Sequence, residues 1–91
     1  MEFTLPFSTE NVVELYVTFV QGGRIILEKS LKECSATGEV LKVHFTQADT
    51  LAFTSGKQVE IQIRVKFDSG DALASDIINA SVERILKDGE I

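Results

Sequence analysis

The sequence has little cysteine, histidine or tryptophan. Its 91 residues include one cysteine, Cys34, one histidine, His44, and no tryptophan. A single cysteine cannot form an intrachain disulfide, which excludes a small secreted scaffold held together by disulfides. The lack of tryptophan also leaves Tyr16, the only tyrosine, as a thin platform for stacking a sugar ring.

Basic residues are scarce as well. Nine Lys and Arg stand against fourteen Asp and Glu, which gives a formal net charge of −5. The densest basic stretch, Lys29 to Lys32, is flanked by Glu28 and Glu33. Nucleic acid and anionic membrane surfaces attract clustered Lys and Arg, so we expect neither as a partner.

Long apolar runs are missing. The longest aliphatic run, Ile25-Ile26-Leu27, is far shorter than the roughly 20 residues that cross a bilayer. The segment from Met1 to Pro6 lacks the basic region and the apolar stretch of a signal peptide. We therefore expect no membrane span, and a chain that folds in a reducing cytosol.

What the sequence does contain is enough apolar side chain for a core. Hydrophobic residues make up 44% and charged residues 25%, which is typical of globular proteins and argues against disorder. A chain of this length forms one domain, so we expect residues 1–91 to fold as a unit.

Strict alternation of apolar and polar residues is the clearest local pattern. Residues 58–67 place Val59, Ile61, Ile63, Val65 and Phe67 on one face, as a half-buried strand requires. Further strands are predicted at 12–20, 24–31 and 40–46, with a Gly-Gly hairpin turn after the first and a loop over 32–39. The residues expected to point inward are Val13, Leu15, Val17, Phe19, Ile25, Leu27, Leu31, Leu41, Val43 and Phe45.

Two segments carry signals other than a simple alternation. Thr46 with Asp49 three residues later resembles a capping box, which predicts one helical turn that brings Leu51 or Phe53 into the core. Residues 72–86 fit either a strand or a helix, and the pattern leaves residues 76–88 open. The Asp68–Asp71 turn favours the strand, because a hairpin returns a partner to strand 58–67.

Together these elements predict an all-β protein. No long helix separates any pair of strands, so a parallel βαβ arrangement is excluded. The expected fold is an immunoglobulin-like antiparallel β-sandwich of six or seven strands with at most one short helical turn.

Reactive side chains are few and scattered. Cys34 with His44 would form a nucleophile–base pair only if the two side chains met, and a loop cysteine beside an outward histidine does not favour that. Asp68, Asp71 and Asp76 lack the spacing of a calcium loop, and a turn explains the first two. Glu14 and Glu60 are typical of solvated strand faces. We expect no catalytic residue, no metal and no cofactor.

One apolar surface is a candidate for contact with a partner. Val12, Tyr16, Val20 and Ile26 are predicted on the outer face of the first hairpin, where solvent-facing side chains are usually polar. Two explanations remain open. The alternating N-terminal residues Phe3, Leu5 and Phe7 could cover this surface, or it could mediate self-assembly or docking.

A resemblance to a known family rests on residues 41–75. It comprises the run from Leu41 to Leu51, Gly56-Lys57, the alternating strand from Val59 and the turn Asp68-Ser-Gly-Asp71. These features resemble the immunoglobulin-like domains of phage and prophage structural proteins, notably the N-terminal domain of the baseplate upper protein. The family's motifs mark a fold and carry over no catalytic residue.

The resemblance implies a non-enzymatic structural or assembly protein of a phage tail or baseplate. Its partners would be other structural proteins of the particle, it would form a homo-oligomer, and it would reside in the virion or in the host cytoplasm before assembly. The alternative is a carbohydrate- or ligand-binding β-sandwich. A concave pocket lined by Tyr16 with polar neighbours would favour that alternative.

Overall fold

The fold consists of two antiparallel sheets, as the alternation predicts. The structure is a computed structural model, and it describes residues 2–74, 77–83 and 85. A three-stranded sheet and a five-stranded sheet account for eight strands in these residues, where the sequence predicted six or seven. The all-β sandwich is therefore confirmed. No helix in the described residues is long and apolar enough to cross a membrane.

Two strands have ten residues each, β2 (Val12–Gln21) and β6 (Gln58–Phe67), and they form the centre of the larger sheet; the other strands are shorter. A 3-10 turn spans Leu31–Glu33, and a short helix, α1, spans Gln47–Leu51. The strands are β1 Glu2–Thr4, β2 Val12–Gln21, β3 Arg24–Ser30, β4 Cys34–Thr37, β5 Val40–Val43, β6 Gln58–Phe67, β7 Ala72–Ala74 and β8 Ile78–Ser81.

The strand order is that of the immunoglobulin fold. The smaller sheet has the order β1-β5-β4, and the larger has the order β3-β2-β6, with β7 and β8 both pairing with β6. If β1 is taken as strand B, these orders read B-E-D and C′-C-F-G, with β7 and β8 as two pieces of strand G. Strand A, which pairs with B in that fold, has no counterpart in the described ranges.

The core lies between the two sheets. Phe3, Leu41 and Val43 of the smaller sheet belong to the same buried cluster as the inner side chains of β2 and β6. Those inner side chains are Leu15, Val17, Phe19, Val59, Ile61, Ile63 and Val65, each exposed by 5% or less. Both sheets therefore bury one face against the other, and a one-residue slip of β6 would expose its whole apolar row.

Two β-bulges correct the predicted alternation at the ends of the first hairpin. The pairing of β2 with β6 passes from Val12 to Glu14, so the extra residue Val13 turns outward and is 53% exposed. The pairing of β2 with β3 shifts at Val20, and Ile25 is 66% exposed. The inward predictions for Val13 and Ile25 are therefore wrong, because a bulge changes the face to which the following residues point.

The segment predicted as a loop at 32–39 contains regular structure. It holds most of the 3-10 turn, and β4 pairs with β5 through a tight turn at Gly38 and Glu39. The strand signal here was weak, because β4 has only four residues with small side chains and buries little at the sheet edge.

The segment after the Asp68–Asp71 turn is mainly strand where it is described. β7 pairs with residues 64–66 and β8 with residues 58–61, which confirms that the turn returns a partner to β6. Val82, Glu83 and Ile85 are helical, so both patterns in this ambiguous segment had a structural basis. The rest of 76–88, namely Asp76, Arg84 and 86–88, lies outside the described residues.

The capping box predicted at Thr46 is present. The Thr46 hydroxyl accepts from the Asp49 backbone N–H at 3.1 Å, and the Asp49 carboxylate accepts from the Thr46 backbone N–H at 2.8 Å. Of the two residues proposed to fill the core, Phe53 is buried and Leu51 is 79% exposed. Phe53 forms edge-on ring contacts with Phe19 and Phe45, at centroid distances of 5.8 and 6.1 Å.

Candidate contact surface

The four residues predicted as one contact face do not lie on one surface. Tyr16 and Val20 lie on the outer face of β2, where Tyr16 is 38% exposed. Val12 and Ile26 are half-buried and pack against the core. Both bulges cause this separation, since Val12 lies beside the extra residue of β2 and Ile26 is the extra residue of β3.

The N-terminal apolar residues do not cover that outer face. Phe3 and Leu5 are buried between the sheets, and Phe7 packs edge-on against Phe67 at a centroid distance of 5.4 Å. The explanation that Phe3, Leu5 and Phe7 shield Tyr16 and Val20 therefore has no support in the contacts.

Around Tyr16 the outer face is polar and ordered by side-chain contacts. Glu28 accepts hydrogen bonds from the Thr18 hydroxyl at 3.0 Å and from the Arg64 guanidinium at 3.3 Å. These contacts link β3, β2 and β6 across the sheet. The face also has a shallow depression of about 410 Å³, lined by Glu14, Tyr16, Glu28, Arg64, Val65, Lys66 and Ala72.

A second concave feature opens at the edge of the sandwich. It is an apolar groove of about 220 Å³, lined by Leu5, Pro6, Phe7, Ile63, Val65, Leu73 and Ala74. The segment after β1 forms one wall, and β7 forms the other. The groove therefore lies between the edge strands of the two sheets, β1 and β7 among the described residues, and Leu73 remains 53% exposed there.

Cys34 and His44 do not meet. Cys34 is paired with Val43, whose side chain is buried, and it packs against the core. His44 follows Val43, and its Nε2 lies 2.8 Å from the Ser35 hydroxyl, which is on the other face of the sheet. Burial, with the nearby Glu33 charge, raises the pKa of the Cys34 thiol and disfavours the reactive thiolate.

The acidic candidates form no site in the described residues. Asp71 accepts hydrogen bonds that close the turn, and Asp68 donates its backbone N–H to Asn11. Asp76 lies outside the described residues. Glu14 pairs with Lys66 and Glu60 with Val20, so the two glutamates are separated by six positions, or about 20 Å. No group of three or more possible metal ligands occurs in the part of the chain that is described.

Sequence patterns missed one polar cluster inside the fold. Lys29 lies on the inner face of β3, opposite Val17, and is only 4% exposed. Its ammonium group forms ion pairs with Asp49 and with Glu33. Lys29 alternates with Leu27 and Leu31, which were predicted inward, and this spacing is the signal that could have placed its side chain on the inner face.

Compared with models of known protein families, with curated proteins and with solved structures, the chain has no significant match in any of the three. The class of the protein therefore rests on its fold, an all-β sandwich with the immunoglobulin strand order.

Proposed function

We propose that this protein is a non-enzymatic structural or assembly protein of a phage or prophage particle, of the tail or baseplate type. It acts through contacts with other structural proteins of the particle, in the virion or in the host cytoplasm before assembly. The resemblance of residues 41–75 to phage immunoglobulin-like domains supports this class. The observation that carries the contact function is the apolar groove between β7 and the segment after β1.

The groove lies at the position left open by the strand order. In the immunoglobulin fold, strand A pairs with strand B on the side away from strand E. Here β1, as strand B, pairs with β5, and within the described residues its other edge has no strand. The inner side chains Ile63 and Val65 line the bottom of the groove, where each is exposed by 5% or less.

The occupant that fits this geometry is an extended segment of a neighbouring particle protein. Strand addition would pair the backbone of that segment with the edge of β1 or β7. Its alternate side chains would be apolar and would cover Leu5, Val65 and Leu73. An edge strand offers backbone donors and acceptors, while the groove gives specificity for side-chain size.

Photocrosslinking inside purified particles tests this function. A benzoylphenylalanine replaces Leu73 at the groove, and a matched control replaces Lys57, an exposed residue in the turn before β6. We expect the Leu73 probe to crosslink to an identified structural protein of the particle and the Lys57 probe to give none. Absence of the chain from purified particles and their assembly intermediates would overturn the proposal.

A second candidate is supported by one observation. The depression beside Tyr16 is lined by Glu14, Glu28, Arg64 and Lys66, which is the combination of aromatic and polar groups expected of a carbohydrate- or ligand-binding β-sandwich. A glycan array followed by NMR titration tests it. Binding that shifts the Tyr16 and Arg64 signals and is lost in Tyr16→Ala would favour this candidate over the first.

A further inference from the structure

The outer face of β6 separates charges of opposite sign. Its outward side chains run Gln58, Glu60, Gln62, Arg64 and Lys66, with the acid toward one end and two bases at the other. Glu28 pairs with Arg64 at 3.3 Å. Within the described residues neither Glu60 nor Lys66 forms an ion pair, although Lys66 lies opposite Glu14 in the ladder. Both ends of the strand therefore carry an exposed charge available to a partner.

The spacing of these charges suits a two-fold contact. Glu60 and Lys66 are six positions apart, so each lies about 10 Å from the level of Ile63 along the strand. Consider a two-fold axis that lies in the plane of the contact, perpendicular to the strands, at the level of Ile63. Rotation about this axis reverses the direction of β6 and would place Lys66 of a second copy over Glu60. By symmetry the same docking places Glu60 of that copy over Lys66.

Near the centre of the same contact, the side chains are uncharged or are paired with an opposite charge within the same copy. Val17 pairs with Ile63, so Tyr16 and Thr18 lie one position on either side of the axis. The exposed ring of Tyr16 would lie at the level of Thr18 of the second copy, which is itself 7% exposed, while Glu28 and Arg64 already neutralise each other. An aromatic anchor at the centre with ion pairs at the rim is the usual distribution in protein interfaces.

We infer that the protein forms a two-fold dimer through the outer face of its larger sheet, with Glu60 of each copy paired with Lys66 of the other. The inference deepens the proposed function and rests on it, since it specifies the contact between copies within the assembly. The groove at Leu73 lies at the sandwich edge, so the dimer leaves it accessible. The two sheets would pack about 10 Å apart, as in other face-to-face sheets.

A charge-swap series tests the dimer by light scattering and sedimentation equilibrium on the whole chain. The wild type is expected to have a dimer mass at high concentration. Glu60→Lys and Lys66→Glu alone each turn both pairs into repulsive contacts and should raise the dissociation constant about tenfold or more. An equimolar mixture of the two variants restores both attractive pairs and should restore the dimer, as should the double variant E60K/K66E.

The matched controls are Glu39→Lys and Lys42→Glu, which make the same charge changes at exposed positions of the smaller sheet and its turn, away from this face. They should leave the dissociation constant unchanged. A single-chain mass for the wild type at all concentrations, or a mixture that does not associate better than its components, would overturn the dimer. Leu73 crosslinks to a particle protein would then still support the contact function, so the two proposals fail separately.

Discussion

The ammonium group of Lys29 and the carboxylate of Asp49 form an ion pair that joins the edge strand β3 to helix α1. The Lys29 side chain is 4% exposed and the Asp49 side chain 16% exposed. Burial lowers the pKa of Lys29, but its hydrogen bonds and charge interactions with Asp49 and Glu33 outweigh burial and raise it above the ordinary value. The Lys29 ammonium group therefore binds helix α1, which connects β5 to β6, to the edge strand β3 of the larger sheet.

Removal of both members of this pair should destabilise the fold less than the two single removals added together. Asp49→Asn keeps an acceptor for the Thr46 backbone N–H but leaves the buried Lys29 ammonium with Glu33 alone, and should cost about 3 kcal/mol. Lys29→Met leaves no buried cation and should cost less. In urea unfolding, the double variant K29M/D49N should lose less stability than the sum of the single variants. Additive losses would contradict a direct coupling.

The same pair predicts a loss of stability in acid. Burial raises the pKa of Asp49, but hydrogen bonds from Lys29 and Thr46 outweigh it and hold the pKa below its ordinary value. Because the folded pKa is depressed, the stabilisation is present above the unfolded value of about 3.9 and is lost as the pH falls through the folded value. The stability difference between the wild type and Asp49→Asn should therefore be constant from pH 6 to 8 and shrink below about pH 4. A constant difference down to pH 2.5 would refute this assignment.

The raised pKa of Lys29 predicts a loss of stability at alkaline pH. Its stabilisation is fully present below the unfolded value of about 10.4 and is lost as the pH rises through the folded value. Wild type should therefore lose stability above about pH 10 more steeply than Lys29→Met. Equal alkaline slopes for the two proteins in thermal unfolding would argue that this lysine is not coupled to its carboxylates.

Phe53 and Leu51 lie two residues apart and should respond very differently to truncation. Phe53 is 8% exposed and contacts two other rings, so Phe53→Ala should cost about 3–5 kcal/mol. Leu51 is 79% exposed, and Leu51→Ala should change stability by less than about 0.5 kcal/mol. Chemical denaturation of the two variants measures the difference. A costly Leu51→Ala would mean that α1 turns another side toward the core.

The bulge at Val13 makes a prediction opposite to that of simple alternation. Val13→Lys should be nearly neutral, within about 0.5 kcal/mol, because the side chain is 53% exposed. Leu15→Ala, two residues along the same strand, should cost about 2–5 kcal/mol because Leu15 is 1% exposed. If Val13→Lys unfolds the protein, the regular register without a bulge is the correct one.

The turn between β2 and β3 depends on glycine for its backbone. Gly22 and Gly23 have φ values of +59° and +76°, as a two-residue type I′ hairpin turn requires. An added Cβ at Gly23 meets no atom within 4 Å, so the cost of Gly23→Ala comes from the backbone and should be about 1–2 kcal/mol. Gly23→Asn should cost less, because asparagine tolerates this conformation. Equal melting temperatures for all three proteins would contradict the turn type.

An element could be predicted from the sequence to the extent that it buries a regular row of apolar side chains in the core. Strand β6 was predicted with correct bounds because one whole face of it is core, and Thr46 with Asp49 correctly indicated a capped turn. Strand β4 was missed because an edge strand of four small residues gives too weak a periodic signal. Of the contact face, Tyr16 could be placed from sequence, whereas Val12 could not, since its position depends on a bulge in the pairing of two distant segments.

The amino-acid pattern alone determined that this chain forms sheets, where its long strands and glycine turns lie, and which row of each long strand forms the core. These properties follow from side-chain alternation and backbone freedom within a few neighbouring residues. Tertiary pairing decided the rest: the two bulges, the burial of Lys29, the groove at the open sheet edges and the level at which Glu60 and Lys66 lie across from Val20 and Glu14. Register between segments far apart in sequence is set by the packing of whole faces, and no local pattern specifies it.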